Sequence, residues 1–242
     1  MSQIIIKNVN VSNVAQAIRG MRNHLENWAK SDSKVFYIVR PMHSDAYYLT
    51  LPLHEYDTSK GIAIEFTLGE KDKELAFDLI KAGPGHSVFM RQIFICADIT
   101  APMTWWIAMD AFMAGAVRNF TVQMHKLVSR PLTKADFAWD ETDEETETMR
   151  GVLINSLNGR VKEWKEAIDS RLDNPEILRA MWRRITDDIP LSYLNMATWS
   201  ANYQILRDIY FSQEEQSQTE FGMFRDFIET LPYSELITCS RR

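Results

Sequence analysis

Two hydrophobic periods alternate along the chain. The runs "SKVFYIVRP", "DAYYLTLPLHEY" and "KGIAIEFTLG" are rich in aromatic and β-branched residues and are broken by Pro, Asp, Ser and Gly. That pattern predicts antiparallel strands, and so a sheet in the first third of the chain. Ahead of them, "QIIIKNVNV" predicts a strand, and "VAQAIRGMRNHLENWAK" carries apolar residues at helical spacing behind a cap at Ser12 or Asn13. "EKDKELAFDLIKAG" predicts a short amphipathic helix stopped by Gly83, Pro84 and Gly85, and "HSVFMRQIFICADI" predicts one more strand. From Ala101 onward nearly everything reads as helix. The acidic stretch from Asp140 to Glu147 marks one helix start, because carboxylates in a first turn oppose the positive end of the macrodipole. The expected fold class is therefore α+β, with 1–242 forming a single domain: a sheet-rich part, 1–100, and a helical part, 101–242.

The segment "ITAPMTWWIAMDAFMAGAVRNFTVQMHKL" (99–127) predicts one interior helix. Trp105 and Trp106 would point about 100° apart on it, so at most one is expected in the core while the other lines a groove or an interface. Asp110 is expected to cap or to pair with Arg118 two turns on. Ala111, Ala114 and Gly115 leave a surface that another helix can approach closely, which predicts a homo-oligomer. His125 reads as a partly buried structural histidine.

Composition narrows the function. With 242 residues, 45% of them hydrophobic, the chain can bury a core without staples. A formal charge of -6 argues against non-specific nucleic acid binding and leaves room for a local basic pocket. Cys96 and Cys239 lie far apart and offer neither a metal-ligand spacing nor a disulfide framework, so both are expected as free thiols. No segment approaches the roughly 18 apolar residues of a membrane span, and no basic leader precedes an apolar run, so the expected location is the cytoplasm, away from membranes. The common phosphate-loop, zinc-protease and serine-hydrolase motifs are missing, the five histidines show no metal-ligand spacing, and no metal is expected.

One set of motifs does resemble a family. "KAGPGHSVFMRQIFICADITAP", "WW" with Asp110 four residues after the second tryptophan, "MHK" at 124 to 126, "NYQILRDIY" and "ETLPYSELIT" together resemble phage and prophage relatives of flavin-dependent thymidylate synthase, over roughly residues 75 to 238. The resemblance implies that fold, a flavin and dUMP as ligands, and a Leu-Pro element ahead of an Asn that opens a helix; Ile189-Pro190 precedes Asn202 at a comparable interval. It also implies an Arg-His-Arg triplet shortly after a Gln. The two registers that could supply it give Ile95, Cys96 and Ala97, or Met109, Asp110 and Ala111. A further arginine implied eleven residues after Asn202 is Gln213. Lost charge-assisted contacts of roughly 1.5 to 3 kcal/mol each would weaken dUMP binding by orders of magnitude, so synthase activity is not expected.

Two readings follow. In the first, a flavin or nucleotide pocket persists, with His86, Arg91, Gln92 and Asn202 holding the cofactor and Arg184 and Trp106 the substrate, a pyrimidine nucleotide. FAD or FMN would bind weakly, since only Arg91, Arg183, Arg184 and the "GPGH" turn offer charge or free backbone N–H groups to a diphosphate. In the second, the chain is a non-catalytic oligomeric interaction protein of phage origin.

Overall fold

A computed structural model describes residues 4–39, 45–56, 62–121, 123–212 and 219–240. The strands and helices run in the order β1 (Ile5–Ser12), α1 (Val14–Gly20), β2 (Lys34–Val39), β3 (Tyr47–Pro52), β4 (Ile62–Thr67), α2 (Glu70–Lys81), β5 (Phe94–Pro102), α3 (Met103–Met109), β6 (Val117–Phe120), α4 (Gln123–Ser129), α5 (Glu144–Asp169), α6 (Pro175–Thr186), β7 (Leu194–Asn202), α7 (Tyr203–Ser212), α8 (Thr219–Glu229) and α9 (Glu235–Thr238). The strands form a four-stranded sheet ordered β1-β5-β7-β6 and a three-stranded sheet ordered β3-β2-β4. In the latter, β2 is antiparallel to both neighbours, with Phe36 opposite Thr50 on one side and Glu65 on the other. This is an α+β fold, and its first-third antiparallel sheet is the one that the alternating aromatic runs predict.

The chain divides into two compact units. One comprises Met1–Asn8, Ala97–Trp199 and Gln216–Phe224; the other comprises Val9–Cys96, Ser200–Glu215 and Arg225–Arg242.

In the first unit, segment 99–127 is not one helix. Strand β5 runs on to Pro102, α3 lasts seven residues, a 3-10 turn covers Asp110–Phe112, and Gly115 turns the chain at φ 88° into β6. Only glycine adopts that φ without steric cost, so no helix runs through Gly115 whatever the apolar content around it. The Asp110 carboxylate does pair with Arg118, at 2.5 Å, but across this turn and not along a helix. Both tryptophans are buried, Trp105 at 0% and Trp106 at 1% exposure, contrary to the expectation of one. The reason is that α3 is covered on more than one side: the Trp105 ring meets Phe221 and Phe224, while Trp106 meets Phe120 edge-on at 5.0 Å. Strand β7 is a second departure from the all-helical reading of 101–242. Ala197, Trp199 and Ala201 alternate inward, but two of the three are alanines, which hide a period of two. The start of α5 is as expected, with the Asp143 carboxylate accepting from the Thr146 N–H at 2.9 Å. A cluster of Leu127, Phe137, Leu157, Val161, Ile185 and Tyr193 forms the core beneath α5 and α6.

In the second unit, α1 stops at Gly20, short of the predicted end near Lys30, and gives way to 3-10 turns at Asn23–Leu25 and Trp28–Lys30. Glycine is a weak helix former, and Glu26 at φ 47° breaks the helical path. Asn13 stands at the N-cap position of α1, yet its side chain donates to the Gln92 carbonyl at 2.8 Å instead of capping. The predicted strand from His86 begins only at Phe94, because Val88–Gln92 is a 3-10 turn.

Candidate functional site

In the second unit, the end of α1, the following 3-10 turn, α2 and the Gly85–Gln92 segment enclose a cleft of about 620 Å³. Buried Met21 and Phe89, with Leu79 and Val88, supply apolar walls. The polar lining consists of the imidazoles of His24 and His86 and the carboxamides of Asn23 and Gln92. Asn23 holds the Trp28 indole N–H on its Oδ1 at 2.9 Å, which leaves its Nδ2 as a donor. At Gly20 a Cβ would stand 3.1 Å from Gln92 Oε1, so the missing side chain is what admits the Gln92 carboxamide.

The turn before His86 is self-contained. The N–H groups of His86 and Ser87 both donate to the Gly83 carbonyl, at 2.9 and 3.1 Å. They are therefore committed, and the expectation that "GPGH" would offer free backbone donors to a diphosphate is corrected for these two groups. The same bonds fix the backbone that carries the exposed His86 side chain. The Ser87 hydroxyl, buried, donates to Gln204 Oε1 at 3.3 Å on α7.

The remaining sequence candidates fall as follows. Arg91 and Gln92 are exposed at the end of the same 3-10 turn. Asn202 closes β7 and opens α7, its Oδ1 accepting from the Ile205 N–H at 3.1 Å, so its carbonyl oxygen is engaged as a helix cap. Trp106 and Arg184 belong to the first unit. The Trp106 ring is enclosed, its Nε1 donating to the Asn195 carbonyl at 3.1 Å, and Arg184 is exposed near the end of α6. Arg118 pairs with Asp110 and donates to the Trp106 carbonyl at 3.2 Å, so it is not free to stand in for the missing arginines. Gln213 and the side chain of His125 lie outside the described residues. Sequence reasoning missed His24 and Asn23, because it placed them within a longer α1.

The cleft offers partners for a planar ring but little charge for a phosphate. A planar ring system needs flat apolar walls and a few amide or imidazole partners, which Met21, Phe89, His24, His86 and Gln92 provide. A diphosphate needs positive charge or free N–H groups; Arg91 is a cation nearby in sequence, and the N–H groups of His86 and Ser87 are occupied. Among the described residues no cluster of three or more His, Cys, Asp or Glu is placed to hold a metal ion, and no helix is long and apolar enough to cross a membrane.

The fold is that of the flavin-dependent thymidylate synthases. The chain superposes on ThyX from Helicobacter pylori, in a structure complexed with FAD and dUMP, with a TM-score of 0.58 at 13% identity, covering 99% of this chain and 100% of that one. A second structure of that enzyme, also with FAD and dUMP, gives 0.55 at 13% identity, with 98% and 96% covered. The UMP/dUMP methylase PolB from Streptomyces cacaoi, bound with 5-Br dUMP, matches at 0.51 and 13% identity over 95% of this chain and 89% of that one. At such identity the likeness is one of fold. No protein-family model and no curated protein sequence matches the chain.

Proposed function

We propose that this chain is a cytoplasmic, homo-oligomeric thymidylate synthase-like protein, akin to phage and prophage relatives of the enzyme, that binds a pyrimidine nucleotide or a flavin weakly and does not make thymidylate. The observation that carries this reading is the cleft of His24, His86 and Gln92: apolar walls with imidazole and carboxamide partners, suited to a heteroaromatic ring and without a Lys or Arg in its lining for phosphates. The fold shared with proteins solved with FAD and dUMP supports the ligand class. The missing arginine triplet supports the loss of reaction.

Purified protein is expected to be colourless and to bind added FMN, FAD or dUMP no more tightly than the micromolar range, roughly 8 kcal/mol. Arg91→Ala should abolish flavin binding and His86→Ala should weaken it. Supplied with flavin, reductant, methylene-folate and dUMP, the protein should form no thymidylate above background; turnover would overturn the reading. The alternative of a purely non-catalytic interaction protein draws on the apolar side chains left open in the first unit, Ile107 at 52% and Val117 at 68% exposure. Absence of any ring-ligand binding at millimolar concentration would decide for it.

A further inference from the structure

The helical hairpin of α5 and α6, in the first unit, carries a second hollow of about 450 Å³ that the proposed function does not use. Its floor is aromatic. Trp164 of α5 and Trp182 of α6 meet with ring centroids 5.2 Å apart and planes tilted by 53°, each half-buried against the hairpin core and each leaving part of its ring open. Ile168 and Leu178 extend the apolar wall. A volume of this size, with an aromatic floor and charged groups along one side, is that of a small-molecule site.

The polar groups define what it would take. Arg179 and Arg183 line the hollow one helical turn apart, so their guanidinium groups lie on one side of α6. Of the other six arginines of this unit, four have carboxylate partners: Arg118 with Asp110, Arg130 with Asp136, Arg150 with Glu147 and Arg160 with Asp188. Arg179 and Arg183 have none among the described residues. Arg183 gains something from the negative end of the α6 macrodipole, but Arg179, more than a turn from that end, gains little. The Thr186 hydroxyl is turned back to the Trp182 and Arg183 carbonyls. Asp187 closes the same end with a single negative charge, which disfavours a second one on the ligand.

From this juxtaposition we infer that the α5–α6 hollow is a binding site for a small planar aromatic monocarboxylate, its ring against Trp164 and Trp182 and its carboxylate on Arg179 and Arg183. Guanidinium groups match a carboxylate in bidentate geometry, and the indole faces favour a flat ring over a puckered one.

The test titrates the full chain with 1-naphthoate by calorimetry while following the tryptophan indole N–H signals by NMR. Cyclohexanecarboxylate serves as the charged but non-planar control and naphthalene-1-methanol as the planar neutral one. Saturable binding of naphthoate is expected, with shifts of two indole signals that Trp182→Phe and Trp164→Phe assign to the hollow, and with affinity at least about tenfold above either control. Arg179→Gln and Arg183→Gln, both at exposed positions, should each lower that affinity about tenfold or more without moving the thermal midpoint. Equal binding of the neutral alcohol, unchanged affinity in both arginine variants, or no saturable binding of naphthoate would overturn the assignment.

Discussion

Arg22 and Asp72, fifty residues apart, form a buried ion pair: Arg22 Nε donates to Asp72 Oδ1 at 2.6 Å, with the two side chains 5% and 0% exposed. The other carboxylate oxygen accepts from the hydroxyls of Ser31 and Ser33, both at 2.5 Å. The pair ties the first turn of α2 to the segment after α1, one residue from the cleft-lining Met21 and Asn23. Removing one partner of such a pair strands the other charge away from water, which costs about 3–5 kcal/mol. Asp72→Ala is therefore expected to lower the free energy of urea unfolding by that amount, measured by circular dichroism.

Gly69 should tolerate no side chain. A Cβ there would overlap the Asp32 carboxylate, which accepts the N–H groups of Lys71 and Asp72 at the start of α2, at 3.0 and 3.2 Å. The backbone of Gly69 is extended, so the demand is for space and not for an unusual φ. Gly69→Ala is expected to destabilise the protein by about 1–2 kcal/mol through the displaced cap, read as a lower thermal midpoint.

Acid stability should follow Asp136 and Asp143. Burial opposes ionisation of Asp136, but hydrogen bonds from Arg130 and Thr133 outweigh it and hold the carboxyl below its ordinary 3.8. The Thr146 N–H and hydroxyl draw exposed Asp143 down to about 2. A carboxylate with a depressed folded value contributes stability above its unfolded pKa and loses it as pH falls through the folded one. Stability to urea is thus expected to be level above about pH 5 and to fall between roughly pH 4 and 2. Asp136→Asn should flatten that slope; an unchanged slope would count against the role.

The assembly prediction rests on Ile107 and Val117, apolar and largely open in the single chain. Light scattering after size-exclusion chromatography is expected to return at least twice the 28.1 kDa of one chain at micromolar concentration. Val117→Lys should shift the mass toward that of a single chain.

What the sequence makes legible is what has a period or a punctuation mark. Val35, Tyr37, Leu49 and Leu51 alternate, so β2 and β3 are readable; Asp143 followed by acidic residues announces α5. Segment 99–127 has neither: its apolar residues are nearly continuous, and the breaks at Gly115 and at the Asp110–Arg118 pair only have meaning once the chain has folded back. The candidate cleft was half legible. His86 and Gln92 stand out beside the glycines, whereas His24 reaches the same cleft only because α1 ends at Gly20. That glycine, where the Gln92 carboxamide approaches, was the available signal.

The division of the chain carries a consequence for its synthesis. The second unit draws on three separated stretches, the last of them beginning at Arg225. Its helix α7, with Tyr203 donating through its hydroxyl to the Pro232 carbonyl at 2.6 Å, waits on residues made near the end of translation. At about 5–20 residues per second, Val9 emerges roughly ten to forty seconds before Arg225 does. For most of that interval the strands β2 to β4 exist with α1 and α2 but without α7 and α9, which complete their unit. A nascent chain of this design depends on something other than its own finished core to keep "SKVFYIVRP" from pairing with a neighbour on the same messenger.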